Sequence, residues 1–80
     1  MEDSDISAHI EKLVAEEHQL LAQAERSPLG EADRARLNGI EVALDRYYDL
    51  LRQRRAREEF NQDPASARLR PAETVEKYLQ

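Results

Sequence analysis

Apolar residues recur in this chain at intervals of three, four and seven, in two long blocks separated by one short break. The first block runs from Asp5 to Arg26 and carries Ile6, Ile10, Leu13, Val14, Leu20, Leu21 and Ala24. That spacing lines one face of a helix and leaves Glu11, Lys12, Glu16, Gln19 and Gln23 for the opposite side. The second block runs from Glu31 to about Phe60, with Leu37, Ile40, Leu44, Tyr47 and Leu51 in register and Tyr48 and Leu50 flanking them. Glu31 and Asp33 suit the positive end of this helix, and its arginines suit the negative end. Between the blocks, Ser27-Pro28-Leu29-Gly30 is too short for a linker. Proline disfavours the α conformation in the residue before it, and glycine accepts turn dihedrals.

Two helices joined so tightly fold back on each other. The expected fold is all-α, an antiparallel, coiled-coil-like two-helix hairpin over residues 1–60, with helices at about 5–26 and 31–60. Gly39 lies inside the second helix and costs about 1 kcal/mol relative to alanine there, either by simple tolerance or because another backbone approaches. Residues 61–80 form a C-terminal segment. Asn61-Gln62-Asp63-Pro64 stops the second helix and caps a new turn, because Asp63 can accept from backbone amides and Pro64 needs no donor at a first helical position. A short helix over about 71–79 follows, with Val75, Tyr78 and Leu79 on one side, and it needs a surface to dock on.

The 80 residues permit one thin core. A hairpin of this size leaves part of its seam uncovered, so association as a dimeric bundle is expected, with Ile6, Ile10, Leu13, Leu20, Leu37, Ile40, Leu44, Tyr47 and Leu51 as the core. The chain has no cysteine, which removes disulfides, thiolate metal sites and thiol nucleophiles. The acidic start, Met1-Glu2-Asp3-Ser4-Asp5, is unlike a secretory signal, and no apolar run approaches the roughly 20 residues that span a bilayer. A cytoplasmic protein without a membrane partner is the expectation.

Charge is unevenly placed. Residues 1–26 hold seven acidic and two basic side chains, whereas residues 31–60 and 61–80 are each balanced, so the formal charge of −5 sits on the first helix. Arg52, Arg54, Arg55 and Arg57 form a local basic run that the hairpin places beside Glu2, Asp3 and Asp5. Internal pairing at a favourable helix end is one reading; phosphate or nucleic-acid binding, with Tyr48 as a stacking platform, is the other. Overall acidity, and the lack of aromatic residues among the arginines, argue against nucleic acid. Glu41, Asp45, Tyr48, Arg52 and Arg55 make a polar stripe beside the seam, through intrahelical pairs or by facing another chain. Glu17 falls where the heptad calls for an apolar residue. It lies at the seam's edge or meets an arginine or tyrosine across the helices.

No catalytic constellation is present. His9 and His18 are nine residues apart, about 900° around a helix, and so cannot ligate one metal from the same helix. Neither follows a glutamate by three residues, as a di-iron bundle requires. There is no phosphate loop, dinucleotide fingerprint or nucleophile elbow, and Ser4, Ser7, Ser27 and Ser66 are terminal, turn or cap residues. No enzyme activity, cofactor or metal is expected.

At Ala15-Glu16-Glu17-His18, Glu41-Val42-Ala43-Leu44-Asp45, Asp49-Leu50-Leu51-Arg52-Gln53-Arg54-Arg55-Ala56 and Arg70-Pro71-Ala72-Glu73, the chain resembles domain of unknown function 2630. These are short proteins of high-GC Gram-positive bacteria. The resemblance covers nearly the full length, including Tyr78-Leu79-Gln80, and implies a complete small protein. The family carries no assigned activity, so no functional residue transfers. Members often have tryptophan where this chain has Tyr48.

The expected function is therefore a non-catalytic protein–protein interaction or adaptor module that self-associates as a homodimer. The candidate interaction residues are Glu17, Glu41, Asp45, Tyr48, Arg52, Arg54, Arg55 and Arg57. The alternatives are a regulator that binds a nucleotide or nucleic-acid phosphate through the Arg52–Arg57 cluster, and a regulator that offers its acidic first helix to a basic protein partner.

Overall fold

Helix α1 begins as soon as its first amides find acceptors. In the computed structural model, which describes residues 1–78, it spans Asp3–Arg26, and the Glu2 amide donates to Asp5 Oδ2 at 3.0 Å. Asp3 and Asp5 place negative charge at the positive end of the helix dipole. The helix stops at Ser27, extended at φ −161° and ψ 154°, as the residue before Pro28 must be. Gly30 does not supply the unusual turn dihedral that its presence suggests: its φ is −68°, and a Cβ there would meet nothing within 4 Å. The break rests on Pro28. Gly30 then caps helix α2, accepting from Arg34 N at 3.0 Å.

Helix α2 spans Glu31–Glu59, about 44 Å at 1.5 Å per residue. It ends in a Schellman motif. Asn61 takes a left-handed φ of 57°, so its amide reaches the Glu58 carbonyl at 3.2 Å and that of Gln62 reaches Arg57 at 2.6 Å. Asparagine is one of the few residues with a side chain that adopts this conformation readily. Asp63 then accepts from Ala65 N at 2.9 Å, and Pro64–Ser66 form a single 3₁₀ turn, η1. Helix α3, Ala72–Tyr78, closes the described chain.

Helix α2 is the centre of the molecule. It packs against α1 on one side and against η1 and α3 on another, and among the described residues the backbones of α1 and α3 do not come together. The pairing with α1 is antiparallel: along α1, Gln23, Glu16, His9 and Asp3 meet Asp33, Arg36, Tyr47 and Arg54 in turn. Ile6 packs with Leu50 and Ala67, with Ile10, Tyr47 and Leu51 partly buried around them. One isoleucine thus joins α1, α2 and the C-terminal segment.

Burial differs from the heptad expectation. Of the expected core, Ile6, Ile40 and Leu44 are buried, while Ile10, Leu13, Leu20, Leu37, Tyr47 and Leu51 are only half-buried. Leu50, expected on the flank, is buried, as are Ala67 and Val75. The C-terminal segment explains the shift, because it covers a second face of α2. Val75 docks as its spacing predicts. Leu79 and the side chain of Tyr78, assigned to the same face, lie outside the described residues.

No other backbone approaches Gly39. A Cβ there would meet nothing within 4 Å, and the residue is exposed. Gly39→Ala therefore gains helix propensity without a clash, about 0.5–1 kcal/mol. The expected result is a melting temperature several degrees higher by circular dichroism, and a decrease would place a neighbour against this position.

Candidate functional site

Three polar constellations decide which side chains are available to a ligand or partner. The first centres on Arg54, whose side chain is 9% exposed. At about 100° per residue, Arg52 and Arg55 share one side of α2 while Arg54 and Arg57 share roughly the opposite side. The basic run is therefore split. Arg54 points inward, where Nε bonds Asp3 Oδ1 at 2.5 Å and Nη1 reaches the carbonyls of Met1 at 2.8 Å and Pro64 at 3.3 Å. The expected proximity to acidic residues at the start of the chain is present, but the expected role of Arg54 as a surface contact is not. Its donors tie the N-terminal residues and the start of the C-terminal segment to α2.

The second constellation surrounds Asp49, a buried carboxylate at 4% exposure that the spacing of apolar residues does not reveal. Gln53 Nε2 donates to it at 2.9 Å and to the Arg68 carbonyl at 2.8 Å. Arg70 Nε stands 3.5 Å from its Oδ2, and Arg46 Nε donates to the Arg70 carbonyl at 2.9 Å. Segment 64–70 has little apolar surface of its own, and these bonds fasten it to α2. The i to i+4 spacing of Asp49 and Gln53 is the one sequence signal for this network.

The third is the flank where His9, Glu16 and Gln23 face α2. Glu16, half-buried, and Gln23, exposed, both reach across to α2, a contact that the periodicity does not reveal. Glu16 binds the Arg36 guanidinium through both oxygens, with Nη2 to Oε1 at 2.8 Å, and Gln23 Nε2 donates to Asp33 Oδ2 at 3.1 Å. The seven-residue spacing of the three was the signal available. His9, exposed at the edge of the seam, stacks on Tyr47 with ring centroids 5.3 Å apart. The Arg36 hydrogen bond holds the Glu16 carboxyl below its ordinary value, and the same bond raises Arg36. A carboxyl with a depressed folded pKa adds stability above its unfolded pKa and loses it as pH falls through the folded value. A carbon-detected pH titration should find Glu16 with a lower midpoint than exposed glutamates, and Arg36→Gln should move it up to their range.

The opposite flank is open. On α1, Ile10, Val14, Glu17 and Leu21 follow one another at spacings of four, three and four; on α2, Leu37, Glu41, Leu44 and Tyr48 repeat that spacing. Leu21 is 45% exposed and Tyr48 43%, while Ile10, Val14, Glu17 and Leu37 are half-buried. The Glu17 side chain has no hydrogen bond or ion pair, to an arginine, a tyrosine or any other group, among the described residues. The same holds for Glu41, Asp45, Arg52 and Arg55, so the stripe is not spent on intrahelical pairs. Also among the described residues, no three His, Asp or Glu side chains gather as a metal site, and no helix is long and apolar enough to cross a membrane.

These features define a class: a small α-helical hairpin whose C-terminal segment is strapped to the longer helix by buried polar contacts. The chain belongs to the family described as protein of unknown function (DUF2630), whose model matches residues 2–80. It is 47% identical over 77 residues to uncharacterized proteins of Mycobacterium bovis and of the CDC 1551 and H37Rv strains of Mycobacterium tuberculosis, covering 95% of this chain and 88% of each relative. No solved structure matches it.

Proposed function

We propose that this protein is a non-catalytic interaction module that self-associates through the open flank of its hairpin. The observation that carries the reading is the amount of surface left uncovered. A folded monomer of 9.3 kDa exposes roughly 5,000 Å², and this chain exposes 5842 Å². The excess of roughly 850 Å² is close to the roughly 800 Å² that each partner contributes to a standard interface. The Cα radius of gyration is 14.9 Å, against roughly 12 Å for a compact chain of this length. Within α1, Ile6 alone is buried.

A second copy suits the open flank because a two-fold interface must be self-complementary. The α1 and α2 lines carry the same order of spacings, and each holds one glutamate among apolar residues. Glu17 and Glu41 would lie at the rim of a four-helix bundle, where charge discourages alternative registers at some cost in stability.

Leu21→Glu is the direct test. Leu21 is exposed within the chain, so the substitution leaves the monomer folded. Sedimentation equilibrium should show the wild-type chain as a dimer and the variant at least tenfold weaker in association, with an unchanged helical spectrum. A wild-type monomer at both low and high salt sinks the reading. Leu44→Asp is a poorer probe, because Leu44 is 7% exposed and a charge there attacks the fold itself.

The phosphate-binding alternative has less support. Only Arg52 and Arg55 of the four arginines share an exposed side, and Arg54 is occupied internally.

A further inference from the structure

On the face of α2 remote from Tyr48 lies an open depression of about 220 Å³ lined by Gln53, Ala56, Arg57, Phe60, Gln62 and Arg70. Gln53, Ala56, Arg57 and Phe60 descend one line of the helix at spacings of three, one and three, and Gln62 and Arg70 come from the strap. Phe60 is 75% exposed, although it occupies the C-cap of a Schellman motif whose amide bonds fix the backbone on either side of it. A large aromatic residue held in place and facing water is an apolar surface with nothing on it. Beside it stands Arg57, half-buried and without a carboxylate partner among the described residues.

We propose that this depression binds a small monocarboxylate bearing an aromatic ring. The charge balance selects a monoanion. Two arginines line the site, but Arg70 is paired with Asp49, 3.5 Å from its Nε, so Arg57 is the guanidinium that meets a ligand with its charge. Glu58 and Glu59 follow Arg57 on α2 but turn about 100° and 200° away from it, so they do not cancel that charge. A guanidinium with unused donors takes a carboxylate in a two-bond, planar geometry, and the Phe60 ring supplies an apolar face for the ligand ring. The volume sets the size. It is below the roughly 300–1,000 Å³ of drug-sized sites, enough for one ring and one carboxylate. The depression lies on a different side of α2 from Leu37, Leu44 and Tyr48, so this proposal does not rest on self-association.

The test uses the full chain, labelled with ¹⁵N and titrated with 3-phenylpropionate beside its uncharged amide, 3-phenylpropanamide. The acid should give saturable shifts at the Phe60 and Gln62 amides and the Gln53 and Gln62 side-chain amides, with a dissociation constant on the order of 1 mM. The amide should bind at least tenfold more weakly. Arg57→Gln and Phe60→Ala should each lose at least tenfold, while Arg52→Gln, which removes the same charge from the other side of the helix, should change nothing. Equal shifts from acid and amide, equal losses in Arg57→Gln and Arg52→Gln, or no saturation below roughly 20 mM each overturn the proposal. An acetylated tripeptide ending in phenylalanine distinguishes sources of the same chemistry: tighter binding than the acid identifies a chain terminus, weaker binding a free metabolite, and both uphold an aromatic carboxylate. The Leu21→Glu variant should bind as the wild type does, which keeps this result separate from the oligomeric state.

Discussion

Replacing Ile6 with alanine should lower the stability of the chain by about 2–5 kcal/mol, the range for removing a fully buried isoleucine and leaving part of its space empty. The upper part of that range applies because Ile6 is wholly inaccessible and shares one buried cluster with Leu50 of α2 and Ala67 of the C-terminal segment. No single element can relax to fill the gap. A protein of this length has roughly 4–12 kcal/mol in total, so the loss is a large share of it. For a domain this small each kcal/mol moves the melting temperature by about 4–8 °C, which predicts a fall of at least about 8 °C. Thermal unfolding followed at 222 nm measures this directly. Gln19→Ala, at an exposed position of the same helix outside the open flank, should cost no more than about 0.5 kcal/mol. Similar losses for both variants would mean that Ile6 is not the junction described.

The second large effect is expected at Arg54. Arg54→Met keeps much of the apolar stem but removes the bonds to Asp3, Met1 and Pro64. Breaking a fully buried ion pair costs about 3–5 kcal/mol, because the remaining charge is stranded. Asp3 is 62% exposed and regains water, so about 1.5–3 kcal/mol, the range for hydrogen bonds to a charged group, is the better expectation. The loss should also be local. Segment 64–75 buries only Ala67 and Val75 and otherwise relies on polar bonds to α2, so it should open before the hairpin does. Native-state hydrogen exchange should show the Ala67 amide, bonded to Pro64, and the Val75 amide, bonded to Pro71, exchanging at least tenfold faster. Amides in the middle of α2 should keep most of their protection. A uniform loss along the chain would contradict the strap, and no loss would remove Arg54 from its role.

The two cases mark where sequence reasoning reached and where it stopped. Ile6 was legible because a helix repeats every 3.6 residues, and its place in the apolar series puts it in the seam. The Asp63-Pro64 cap was legible because its bonds are local. Arg54 was visible only as one of four arginines, and its inward orientation depends on Met1, Asp3 and Pro64, distant in sequence. The cross-helix bonds of Glu16 and Gln23 were not legible for a related reason: polarity alone does not separate a residue that only faces water from one that also reaches across a helix pair. Leu50 was placed on the flank, and Asp49 had no assigned role, because the second packing surface on α2 is not visible in the sequence. The residues of the depression, Phe60, Gln62 and Arg70, carry no local pattern that joins them.

What the order of residues determined alone is the set of helices, the turn at Pro28, the antiparallel hairpin and the concentration of negative charge on α1. All of these follow from periodicity, backbone preference and chain connectivity over a few turns. Tertiary structure alone decided that α2 is packed on two sides, that Arg54 and Asp49 are used inside the molecule, and that one flank of the hairpin stays open. Those outcomes depend on segment 61–78 folding back along α2, which balances long-range polar bonds against the entropy of ordering the chain. That balance is not written in any short stretch of sequence.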